Sequence, residues 1–186
     1  MTRLSHFVRT YDHALSPEFC SQIIVYFENE PSAQERNGKT FRSGLAESSW
    51  LERDLSGLTA FNFTNVMTNC FRHYKGIYEK ECGIKPPLPA PASMAPWIVK
   101  RYDPGGEDRF QPHYDSVADV SDRYMVFLWY LNAVEDGGET RFVDLDIDTR
   151  PETGRLLIFP PYWMYRHAGM APVSGPKYIL STYPLW

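Results

Sequence analysis

From Trp97 onward the chain is cut into short runs of β-forming residues, and this punctuation limits its fold more than any other feature. The runs cover residues 97–102, 111–115, 124–132, 139–143, 155–159, 165–168 and 177–183. Turn-forming clusters such as Asp103-Pro104-Gly105-Gly106 and Asp136-Gly137-Gly138 bound most of them. Residues 124–132 are apolar on both alternating faces, so that strand needs cover on both sides. A barrel or jelly roll whose outer face is packed by helices meets this demand.

The helices are predicted upstream. Ser16-Pro17-Glu18 supplies a capping hydroxyl, a proline whose missing N–H costs nothing, and an acid in the first turn. Ile23, Ile24, Tyr26 and Phe27 then give residues 19–28 an apolar face. Over about 58–80, Phe63, Val66, Met67, Cys70, Phe71, Tyr74, Ile77 and Tyr78 recur at spacings of three and four, which predicts a longer helix packed on the sheet. Pro86-Pro87-Leu88-Pro89-Ala90-Pro91-Ala92 ends it as an extended connector. The fold class expected is mainly β with flanking α-helices, in one domain of 186 residues, a length that is short for two.

Charge and cysteine content narrow the partners. A net charge of −4 and a pI near 5.7 argue against a nucleic-acid partner. Cys20, Cys70 and Cys82 form no C-x-x-C pair and suit a reducing compartment. The N-terminal residues show no continuous apolar run of the secretory type, and no run has the length of a membrane span. A soluble, cytoplasmic protein with no membrane partner is expected.

Within the β half lies His113-Tyr114-Asp115. Residues two apart in a strand share a face, so both side chains can reach one ion. His167 is the only other histidine of that half. Two imidazoles and one carboxylate on one face of an octahedron leave open positions and suit non-haem Fe(II). On these three residues alone, satisfied structural histidines remain an alternative. Lys177, ten residues after His167, opens the apolar stretch Tyr178-Ile179-Leu180. A cation there is costly to bury without purpose, and it suits the far carboxylate of a dicarboxylic cosubstrate.

With these residues the chain resembles the prolyl 4-hydroxylase-like branch of the 2-oxoglutarate/Fe(II) oxygenases. The resemblance rests on Tyr102-Asp103-Pro104-Gly105, Phe110-Gln111-Pro112-His113-Tyr114-Asp115, Trp129-Tyr130-Leu131-Asn132 and Gly137-Gly138-Glu139-Thr140-Arg141-Phe142. It continues through Gly154-Arg155-Leu156-Leu157-Ile158-Phe159-Pro160 to His167 and Lys177, in order, over about residues 97–186. It implies a double-stranded β-helix (jelly roll) over about 95–186, with about 1–85 as helical support. It implies His113, Asp115 and His167 as iron ligands and Lys177, Tyr102 and Tyr130 as cosubstrate-binding residues. Cofactor chemistry would be Fe(II) with 2-oxoglutarate and O2 as cosubstrates, and ascorbate as a candidate reductant. Related halogenases replace the carboxylate ligand with a small residue. Asp115 is retained here, so hydroxylation of an unactivated C–H is expected, with a prolyl residue in a peptide or protein as the first analogy.

A free amino acid or small metabolite is an alternative substrate, and a cupin-like metal-binding jelly roll without oxygenase activity is an alternative class. Lys100 shares a face with Tyr102, where related sequences usually carry an apolar residue, and is a candidate partner for an anionic group on the substrate. A bulge that sends it to solvent is the alternative. Three segments are expected to shape access, 41–50, 103–109 and 116–123, and they make Arg42 and Arg109 substrate candidates, with Trp163 and Tyr165 beside them. His6, His13 and His73 read as ordinary histidines.

Overall fold

The structure, a computed structural model, describes residues 3–38 and 45–186. The N-terminal half contributes strands β1 (Arg9–Tyr11), β2 (Glu35–Gly38) and β3 (Ser49–Asp54) as well as helices α1 (Pro17–Glu28) and α2 (Phe63–Cys82). Strands β4 (Ser93–Met94), β5 (Ile98–Tyr102), β6 (Phe110–His113) and β7 (Val126–Tyr130) follow. After them come β8 (Thr140–Phe142), β9 (Ile147–Thr149), β10 (Leu156–Phe159), β11 (His167–Gly169), β12 (Lys177–Thr182) and β13 (Pro184–Leu185).

Seven strands pair in the order β1-β10-β7-β12-β5-β3-β2, and four in the order β6-β11-β8-β9, all antiparallel. The larger and smaller sheets form the double-stranded β-helix. The N-terminal half is therefore more than helical support, since three of the seven strands of the larger sheet come from it. The polar residues of β2 and β3 concealed this: Glu52 in β3 accepts from Trp50 Nε1 and Asn37 Nδ2, so charge sits where alternation should show an apolar face.

Strand β7 is buried along its whole length, as its two-sided apolar pattern demands. Val126, Leu128 and Tyr130 point into the barrel with Tyr102, Phe142, Phe159 and Ile179. Phe127 and Trp129 point outward into the layer filled by Phe27, Met67 and Phe71. There Phe71 meets Phe127 edge-on with ring centroids 4.8 Å apart, an arrangement worth about 0.5–1.5 kcal/mol beyond area burial.

Ser16 caps α1 by accepting a hydrogen bond from the Phe19 N–H at 3.2 Å. Glu28 sits at the C-terminal end of α1, where the helix dipole disfavours an anion. Arg101 of β5 compensates it, donating from Nη1 to both Glu28 oxygens at 3.0 Å, and Tyr178 Oη donates at 2.9 Å. Helix α2 begins later than its periodicity suggests, because Phe61 and Asn62 adopt left-handed conformations. It ends at left-handed Gly83, with the Ile84 N–H donating to the Glu79 carbonyl at 3.0 Å.

Gly154, in the turn before β10, has φ +79°, and a Cβ there would lie 2.2 Å from the Leu15 carbonyl oxygen. Its own carbonyl accepts from the Leu15 N–H, so this close approach docks the N-terminal segment on the barrel. Gly154→Ala is expected to destabilise the protein by about 2–4 kcal/mol, read as a lower urea midpoint. An unchanged midpoint contradicts this role.

Candidate active site

Strands β6 and β11 are neighbours in the smaller sheet, and their register sets His167 directly opposite His113. The imidazole centroids lie 4.3 Å apart. Asp115 follows β6 and is anchored by its N–H, which donates to the Pro161 carbonyl at 2.9 Å. His113 Nε2 lies 3.6 Å from Asp115 Oδ1, and His167 Nε2 lies 3.4 Å from Oδ2. Ligand-capable atoms of the three residues all fall within 4.8 Å of one another.

The tautomers follow from the partners. His113 Nδ1 lies 2.8 Å from the Gln111 carbonyl oxygen and His167 Nδ1 3.1 Å from that of Tyr165. A carbonyl only accepts, so each Nδ1 carries the proton and each Nε2 presents a lone pair. Burial, reinforced by the neighbouring His113, pushes the His167 pKa down to about 4, so this imidazole is neutral at physiological pH. Burial would raise the Asp115 pKa, but the facing His167 and His113 and the nearby Arg123 outweigh it and hold the carboxyl below the usual carboxylate range. Asp115 Oδ2 is buried and has no hydrogen-bond partner among the described residues. Two imidazole lone pairs and a carboxylate oxygen facing one another repel unless a cation sits among them. The residues thus fit a divalent metal, and their donor set suits Fe(II).

Beyond the triad lies an inner chamber lined by Tyr102, Leu128, Thr140, Ile179 and Lys177. Lys177 stands opposite Tyr102 in the β12–β5 register and is only 2% exposed. Its Nζ donates to the Gly138 carbonyl at 3.1 Å and the Met170 carbonyl at 3.3 Å, and lies 4.4 Å from the Tyr102 ring centroid. Burial pulls its pKa down to about 7, with Glu139 opposing and Lys100 adding to the fall. Such an ammonium awaits an anion. On the other side of the triad an outer cleft of about 670 Å³ opens between Ala95, Ile98, Val117 and Val120. His113, Asp115, Lys100, Phe110 and Tyr183 line both spaces.

The remaining sequence candidates divide. Lys100 does reach the site, with Nζ 5.5 Å from the Trp50 ring and 5.6 Å from the Phe110 ring. Tyr130 does not line the chamber. It is buried behind the wall, where its hydroxyl hydrogen-bonds Thr140 Oγ1 at 2.6 Å, and Thr140 is the residue exposed to the chamber. Arg109 turns away to Glu47, donating from Nε to its carbonyl at 3.1 Å, and lines neither space. Trp163 is 69% exposed on a turn before β11 and also lines neither, and Tyr165 is core. Arg42 lies outside the described residues.

Two contributors went unnoticed in the sequence. The Tyr183 hydroxyl donates to Asp115 Oδ1 at 3.0 Å, and the Arg123 guanidinium lies 3.9 Å from the Tyr183 ring centroid. Alternation along β12 puts 177, 179, 181 and 183 on one face, so the signal for Tyr183 was present.

A double-stranded β-helix carrying two histidines and a carboxylate at the mouth of an apolar chamber defines a class of metal-centred jelly-roll proteins. Residues 97–184 match the model of the 2OG-Fe(II) oxygenase superfamily. The protein is an Fe(II)- and 2-oxoglutarate-dependent dioxygenase. No curated protein matches the chain.

Similar solved structures extend the likeness over nearly the whole chain. The viral collagen prolyl hydroxylase of Paramecium Bursaria Chlorella virus-1, in its 2OG complex, is 21% identical with a TM-score of 0.65, covering 95% of this chain and 94% of that one. A Pseudomonas putida prolyl-4-hydroxylase is 16% identical, TM-score 0.70, covering 98% and 94%. A Trichoplax adhaerens prolyl hydroxylase in complex with a hypoxia inducible factor peptide fragment is 14% identical, TM-score 0.75, covering 97% and 84%. At these identities they speak to the fold. Among the described residues no helix is long and apolar enough to cross a membrane.

Proposed function

We propose that this dioxygenase hydroxylates a prolyl residue in a peptide or protein, with His113, Asp115 and His167 holding Fe(II) and Lys177 receiving the distal carboxylate of 2-oxoglutarate. The observation that carries this reading is that His113 and Asp115 line both the inner chamber and the adjoining outer cleft, with His167 on the chamber side. The inner one ends on a buried cation, as a dicarboxylate requires, and the outer one is left for the substrate.

When bound, the iron and 2-oxoglutarate supply the oxidation of an unactivated C–H by O2, with succinate and CO2 as coproducts. The chain's own residues position and insulate. Lys177 fixes one end of the cosubstrate by a charge-assisted contact. Tyr102, Leu128 and Ile179 exclude water from the chamber, which strengthens that contact. The neutral His167 and ionised Asp115 need no proton transfer before binding metal. Lys100, at the junction of the two spaces, gives the substrate an anion-binding point.

The outer cleft favours a chain segment over a free amino acid, which would leave most of about 670 Å³ unfilled. Its apolar stretch of Ala95, Pro96, Ile98, Val117 and Val120 suits prolyl rings, and the similar structures include a collagen prolyl hydroxylase and a prolyl hydroxylase in complex with a peptide fragment. The test is incubation with Fe(II), 2-oxoglutarate and a panel of proline-containing peptides beside free proline. A mass gain of one oxygen on a peptide prolyl residue, matched by succinate, is the expected result. Oxygen transfer to the free amino acid alone would move the function to small-molecule hydroxylation.

A further inference from the structure

Tyr183 and Arg123 build a support on the outer side of Asp115 that ligand assignment leaves unexplained. Tyr183 Oη donates to Oδ1 at 3.0 Å, and Arg123 both covers the Tyr183 ring and donates from Nη1 to the Asp115 carbonyl at 3.3 Å. The backbone around Tyr183 is pinned. The Ala95 N–H donates to the Tyr183 carbonyl at 2.8 Å, Thr182 Oγ1 donates to the Ala95 carbonyl at 2.7 Å, and the Tyr124 N–H donates to the Pro184 carbonyl at 3.2 Å. Asp115 is fixed from its own side by Pro161. The hydroxyl and the carboxylate therefore meet between two anchored segments, with Oδ1 taken and Oδ2 unpartnered.

This difference between the two oxygens has a consequence for coordination. A carboxylate that chelates through both oxygens, beside two imidazoles, fills four of six octahedral positions, and a chelating 2-oxoglutarate fills the rest. Ligation through one oxygen leaves a position for O2. We infer that Tyr183, steadied by Arg123, is a positioning residue that holds Asp115 to one-oxygen ligation through Oδ2. The inference rests on the metal-centre reading of the triad.

The test uses the full chain without oxygen, with Co(II) as a spectroscopic probe and Fe(II) for affinity, each with and without 2-oxoglutarate. Tyr183→Phe removes the donor and keeps the ring under Arg123. It is expected to alter the visible Co(II) spectrum of the 2-oxoglutarate complex and to weaken Fe(II) binding about tenfold, with the thermal midpoint of the metal-free protein unchanged. Arg123→Met, which keeps the hydroxyl but frees the ring, is expected to give a smaller change of the same kind and carries the test if Tyr183→Phe does not fold. Native spectra and affinities within twofold in both variants would overturn the inference alone. Failure of the native protein to bind Co(II) or Fe(II) would remove the metal-centre reading, and the inference with it.

Discussion

Lys177→Met is expected to weaken 2-oxoglutarate binding at least about 100-fold while making the cosubstrate-free protein more stable. The two effects share one cause. Lys177 is an ammonium 2% exposed, held by two main-chain carbonyls and the face of Tyr102, and among the described residues Glu139 acts on it only at a distance. A buried charge that makes no direct ion pair opposes folding even with Glu139 nearby, and a linear apolar side chain of similar length removes that penalty, a gain of about 1–3 kcal/mol. With cosubstrate present the balance reverses. A charge-assisted hydrogen bond is worth about 1.5–3 kcal/mol, and its loss leaves the distal carboxylate buried without a partner.

The same residue fixes the pH dependence of cosubstrate binding. In the free protein the Lys177 pKa is lowered to about 7 by burial, and a bound carboxylate raises it. Above pH 7 binding must therefore take up a proton, so affinity falls as pH rises through the free-protein pKa and is flat well below it. Calorimetry in buffers of different ionisation enthalpy measures the uptake, and urea melts measure the stability. A variant that binds 2-oxoglutarate normally, or is less stable than the native protein, contradicts the assignment.

The other large effect is at His167. His167→Ala is expected to abolish turnover and weaken Fe(II) binding by more than about 100-fold, since loss of a group that merely supports a ligand already costs 10- to 100-fold. The substitution also opens a cavity against Phe142 and Phe159, whose rings lie 5.7 and 4.7 Å from the imidazole, and costs about 2 kcal/mol of stability. A thermal melt separates the two losses: the variant remains folded at assay temperature and fails to retain iron. Native iron affinity in a folded His167→Ala protein would place the metal elsewhere.

The parts of the site that could be read from sequence were those governed by strand alternation. His113 and Asp115 are two apart, and Lys177 opens an apolar strand where a charge is conspicuous. Nothing in the residues themselves announces that His167 pairs with His113; that depends on β11 lying beside β6, a long-range register. Tyr130 is assigned to the cosubstrate by resemblance, and alternation gives a face but not a depth along the barrel axis. It points inward, yet beside Thr140 and Thr149, behind the chamber wall. Trp163 sits on a turn, where no period constrains direction, and Arg109, bridged to Ser49 just before β6, is drawn away by Glu47, a tertiary contact. Strand β3 escaped notice because Glu52 and Arg53 interrupt its apolar pattern, and their compensation by Trp50, Asn37 and Glu30 is tertiary.

The most direct measurement of the central claim is an anaerobic titration of the metal-free protein with Fe(II) and then 2-oxoglutarate, followed by visible absorption. It needs no substrate. A saturating charge-transfer band that appears only when both are present, and that Lys177→Met weakens, is the predicted result. A well-folded protein that gives no band at saturating concentrations of both would contradict the assignment of His113, Asp115, His167 and Lys177 as the cofactor site.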